Sequence, residues 1–107
     1  MRTIWICDEE TGKTSRKAVD AYLVLGGLAV HRTPRRERFG EYTVTHLNSG
    51  RAVRQHIKSL ALARKILRAL AESEIPWDEI RTSQEAKPHY KAVMDIVRSV
   101  ECKGGVL

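Results

Sequence analysis

No apolar run in this chain approaches the roughly 20 residues that span a bilayer. The longest candidate, residues 18–30, is interrupted by Asp20 and by Gly26 and Gly27. The opening Met-Arg-Thr-Ile-Trp lacks the apolar centre of a signal peptide, which points to a cytoplasmic protein with no membrane partner. Cysteine is confined to Cys7 and Cys102, near opposite ends. The absence of Cys-x-x-Cys or His-x-x-x-His spacing removes the usual sequence ground for a metal site. A disulfide clamping the ends and two free buried thiols both satisfy that count, and a reducing compartment favours the thiols. There is no internal repeat and no low-complexity segment. With 42% hydrophobic and 30% charged residues over 107 positions, the composition is that of one globular domain with a modest core rather than a disordered tail.

What is present is positive charge, and it is concentrated. The net charge is +6. Residues 31–68 carry Arg32, Arg35, Arg36, Arg38, Arg51, Arg54, Lys58, Arg64, Lys65 and Arg68 against only Glu37 and Glu41. The flanking thirds are neutral or slightly acidic. Most of the ten are arginine, whose planar fork suits phosphate and carboxylate alike.

The same region organises the fold. Residues 42–47 are rich in β-branched and aromatic side chains and read as a strand. Asn48, Ser49 and Gly50 form a turn in which Gly50 supplies a positive φ, and residues 52–57 return as the partner strand. Ser59 offers an N-cap oxygen, and the apolar period then changes from two to 3.6. Around the helix that follows, the apolar set beginning at Leu60 covers an arc of roughly 200°, leaving Arg64, Lys65, Arg68 and Glu72 on the other side.

Upstream, residues 3–7 read as a strand. A helix capped by Thr14 or Ser15 is expected to run to about Leu25 and stop at Gly26 and Gly27. Residues 28–32 form a short strand, followed by a basic loop that Pro34 keeps out of a sheet interior. Downstream, residues 74–80 make a tight connection with Trp77 packed inward, and residues 82–87 a linker. A last helix starts near Pro88, with Tyr90, Val93, Met94, Ile96, Val97 and Val100 on its apolar face. The expectation is a single α+β domain: an antiparallel sheet of about four strands packed against two or three helices. Its parts are strand-helix-strand and basic loop (1–40), hairpin plus helix (41–73), connection and C-terminal helix (74–102), and a loose tail (103–107).

Motif by motif, chemistry is sparse. Residues 7–14 lie between a strand and a helix start as a phosphate-binding loop would, but Cys7 stands where that loop needs glycine, and Asp8, Glu9 and Glu10 would repel phosphate. His31, His46, His56 and His89 read as cross-strand partners or surface donors, with His46 and His56 meeting only if the register allows. Neither cysteine sits where an imidazole would activate it. No catalytic residues and no cofactor are expected. The basic loop, hairpin and helix remain as the functional signal, able to track a phosphate backbone, with Phe39 or Tyr42 as stacking surfaces.

Val30-His31-Arg32, the run Val44-Thr45-His46-Leu47-Asn48-Ser49-Gly50-Arg51-Ala52-Val53, the Ala/Leu helix and Ile75-Pro76-Trp77-Asp78 together resemble small accessory proteins of bacteriophages and other mobile elements. The resemblance covers roughly residues 28–80. Leu28 stands where an aromatic is usual, and Trp77-Asp78 reverses the usual pair. The hairpin-then-helix order is also similar in topology to the three-stranded DNA-binding arm of tyrosine integrases, without their catalytic residues. The resemblance implies a small accessory role with two forms. One is a non-enzymatic nucleic-acid-binding protein, for DNA ahead of RNA, using the ten basic residues. The other is an inhibitor or adaptor that binds an acidic host protein surface and blocks a defence or transcription machine. Exposed aromatics within the basic patch would favour the first, and an exposed apolar patch rimmed by charge the second. A homodimer through the last helix is compatible with either.

Overall fold

In the computed structural model, residues 2–7, 16–33 and 40–104 are described. Five strands, β1 (Arg2–Cys7), β2 (Arg16–Leu25), β3 (Leu28–Arg32), β4 (Tyr42–His46) and β5 (Ala52–Ile57), form one antiparallel sheet in sequence order. Three α-helices follow: α1 (Leu60–Ala71), a four-residue α2 (Ser83–Ala86) and α3 (Tyr90–Gly104), with a 3-10 turn (Lys87–His89) before α3. The α+β class is as expected, with one strand more.

The extra strand is the main correction. Residues 16–25 form β2 and not a helix. Gly26 and Gly27 are not a helix stop but the two central residues of a hairpin, with φ of +60° and +83° and Leu25 facing Leu28. Two consecutive positive φ values give the turn whose twist matches antiparallel strands. β2 serves two neighbours, β1 along its first half and β3 along its second, and its register shifts between Ala21 and Leu23. That bulge disturbs strict alternation, which is why Val19, Tyr22 and Leu25 pass for one side of a helix in the sequence.

Downstream, the segment read as a linker is helical. Thr82 Oγ1 accepts from the Glu85 amide to start α2, and Pro88 lies in the 3-10 turn, so α3 begins at Tyr90. α1 follows the sequence closely. The Leu62 amide donates to Ser59 Oγ at 3.0 Å, and Ala63, Ile66, Leu67 and Leu70 are buried while Arg64, Lys65 and Arg68 are exposed.

The main core lies between one sheet face, α1, α3 and the 75–80 connection, with Leu28, Val30, Val44, Ile66, Leu67, Leu70 and Val97 wholly enclosed. Val93 and Val97 belong to it, so much of the α3 face considered for self-association is interior. A smaller cluster of Ile4, Ile6, Ala21 and Ala29 is separate, and strand alternation puts Ala29 on the opposite sheet face from Leu28 and Val30. Cys102 is a free, exposed thiol, contrary to the expectation of burial. The expected phosphate-loop look-alike and the end of the tail fall outside the described residues.

Candidate binding groove and basic surface

A buried histidine holds the β4–β5 turn against the 75–80 connection. His46 lies at the end of β4, where its Nε2–H donates to the Trp77 carbonyl at 2.6 Å and its Nδ1 accepts from Ser49 Oγ at 2.9 Å. The Trp77 indole stacks at a tilt on the imidazole and donates through Nε1 to the Leu70 carbonyl. Asn48 adds a bond to the Asp78 carbonyl at 2.9 Å. Three elements distant in sequence are thereby locked together: the hairpin turn, the end of α1 and the connection.

This lock shapes a groove of about 560 Å³. One wall is β5, the outermost strand of the sheet, and the other is formed by Ala86 of α2, His89 of the 3-10 turn and Tyr90, Val93 and Met94 at the start of α3, with Trp77 and Ile80 between them. That volume lies in the range of sites that hold small ligands or side-chain clusters. Tyr90 is 50% exposed. Arg51, Arg54, His56 and His89 border the groove, and no aspartate or glutamate is among the described residues lining it.

The sequence-predicted basic residues that are described stand in different surroundings. The Arg54 guanidinium makes a two-point bond to Glu101 on α3, at 2.7 and 3.0 Å. Lys58 reaches Glu41 at 3.5 Å, and His56 contacts the same carboxylate at 3.1 Å. His56 occupies a bulge with φ +61°, so it points to Glu41 while His46 points to Trp77, and the two imidazoles do not pair. Arg32 is half-buried at the end of β3, across from Tyr42. Tyr42 stacks edge-on against Tyr22 instead of standing free. Arg51, Arg64, Lys65 and Arg68 are exposed, the last three as a stripe along the outer face of α1. Arg35, Arg36, Arg38 and Phe39 lie outside the described residues.

On the sheet face away from α1, a polar row is buried, and no motif in the sequence marks it. His31 Nδ1–H donates to the Arg32 carbonyl at 2.9 Å, and its Nε2 accepts from Thr45 Oγ1 at 2.7 Å. Thr33 and Thr43 share a bond of 2.8 Å beside it. Burial pushes the His31 pKa below its usual value, partly offset by the bond to the Arg32 carbonyl, so the ring is neutral at pH 7. His31, Thr43 and Thr45 on this face are all buried.

Among the described residues, no group of three His, Cys, Asp or Glu side chains could hold a metal ion, and no helix is long and apolar enough to cross a membrane. No family model, curated protein or solved structure matches the chain.

Proposed function

We propose that this chain is a non-enzymatic binding protein of the cytoplasm that docks a segment of a partner protein in the groove between β5 and α2–α3. It thereby acts as an inhibitor or adaptor, the accessory role that its resemblance to phage and mobile-element proteins implies. The groove itself carries the reading. Its walls are largely apolar, it is bordered by cationic side chains, and the half-exposed Tyr90 sits in it. Tyrosine in such a position presents a large contact area with few rotatable bonds to freeze.

A second reading, nucleic-acid binding, is supported by the α1 stripe. Arg64, Lys65 and Arg68 lie within one turn and are exposed without a carboxylate partner among the described residues. It is the weaker of the two, because Arg54 and Lys58 are engaged with Glu101 and Glu41.

Selecting a displayed random-peptide library on the intact protein, in parallel with its Tyr90→Ser variant, separates the readings. Peptides enriched on the wild type and lost on the variant support docking in the groove. Anisotropy titration of labelled single- and double-stranded DNA and RNA against salt tests the other. A log–log slope that falls by about two to three units in the Arg64→Ala, Lys65→Ala, Arg68→Ala triple variant, with no peptide enriched, transfers the function to nucleic acid.

A further inference from the structure

We infer that the segment held in the groove is acidic and lies along β5, placing a carboxylate on Arg51 and a large apolar side chain between Ile80, Val93 and Tyr90. This rests on the reading of the groove as a protein-docking site and adds the chemistry of its occupant.

Charge complementarity is the first argument. The described lining holds two arginines and three histidines and no acidic residue. Carboxylates beside the lining are already committed: Glu101 to Arg54, Glu41 to His56 and Lys58, and Glu85 to the Thr82 hydroxyl. Arg51 is different: its exposed side chain has no carboxylate partner among the described residues, while its backbone amide donates to Ser49 Oγ and its carbonyl accepts from the His46 amide. A guanidinium at the mouth of an apolar groove is a forked donor that a carboxylate satisfies at two points. A phosphate backbone is a poorer match, since successive phosphates require successive free cations and Arg54 is taken.

The shape of β5 supplies the second argument. β5 is last in the sheet order, so its outer edge has no strand neighbour among the described residues. Two register shifts against β4 and the positive φ of His56 break that edge into short pieces. A long foreign strand cannot zip along it. The grip must come from side chains entering the groove, which calls for one apolar anchor flanked by acidic residues.

The test is to sequence the seven-residue peptides selected on the intact protein and to repeat the selection on Arg51→Glu. The expected result is enrichment of Asp or Glu beside Leu, Ile, Met or Phe. A synthesised representative should lose about tenfold or more in affinity on Arg51→Glu and Arg51→Gln. Its Lys-for-Glu analogue should recover on Arg51→Glu. Circular dichroism should be unchanged, because the Arg51 side chain is exposed. Peptides that compete for the groove but are neutral or basic would overturn the acidic occupant while leaving protein docking intact. No enrichment that depends on Tyr90 overturns both. A labelled oligonucleotide bound at low salt and released by Arg51→Glu, with no peptide enriched, overturns both and gives the groove to nucleic acid.

Discussion

His31 shows how a single residue can couple this fold to pH. In the folded chain it is neutral, with Nδ1–H on the Arg32 carbonyl and Nε2 receiving the Thr45 hydroxyl proton. Burial lowers its pKa, so the unfolded chain binds a proton more readily than the folded one. The sign follows directly: its contribution is complete above the unfolded value of about 6.5 and is lost as pH falls below it. Urea unfolding between pH 7.5 and 5 should therefore show stability declining below about pH 6.5, by at most about 1.4 kcal/mol per pH unit from this group. In His31→Gln that component should vanish, whatever the variant costs at neutral pH. An unchanged acid limb in the variant would remove His31 from the account.

At the scale of elements, the β2–β3 hairpin depends on glycine for two separate reasons. Gly26 has φ +60°, and a Cβ there would come within 2.9 Å of the Ala71 Cβ at the end of α1. Gly27 has φ +83°, and its Cβ would meet only the Asp78 carboxylate oxygen at 3.2 Å and the Trp77 Cβ at 3.4 Å. Gly26→Ala should cost about 1–3 kcal/mol from the left-handed backbone, with crowding against α1 added. Gly27→Asn, which tolerates that backbone and meets softer neighbours, should cost less. Denaturant midpoints of the two variants give the comparison, and equal losses would show that neither crowding against Ala71 nor asparagine's tolerance of that backbone sets the cost. The glycine pair is visible in the sequence, but its role is not. A helix stop and a two-residue hairpin both call for glycine, and only the strand partners on either side of β2 decide between them.

Across the whole molecule, the two apolar clusters are unequal. The larger ties β3, β4 and β5 to α1, α3 and the 75–80 connection, while the smaller draws Ile4, Ile6, Ala21 and Ala29 from β1 to β3. Among the described residues β1 has β2 as its sole strand neighbour, and neither α1 nor α3 packs substantially on it. Amide hydrogen exchange should accordingly release β1 and the first half of β2 well before β3, β4 and α1. Uniform protection over all five strands would mean that the sheet opens as one unit. The groove belongs to the better-anchored part, since His46, Trp77 and Val93 that shape it are also members or neighbours of the larger core.

What the sequence determined alone is what depends on near neighbours. The 42–57 hairpin with Gly50 at φ +70°, the Ser59 cap and the two faces of α1 follow from patterns a few residues long, and the structure repeats them. Inward packing of Trp77 was legible for the same reason, a large apolar ring in a short polar connection. Tertiary structure decided the rest. The partners that neutralise Arg54 and Lys58 lie 47 and 17 residues away, beyond any local pattern. The groove is assembled from β5, the connection and α3, which meet only after the chain has folded back on itself. Charge and periodicity are written residue by residue, but which charges remain free, and which apolar surface stays open between elements, are properties of distant pairs.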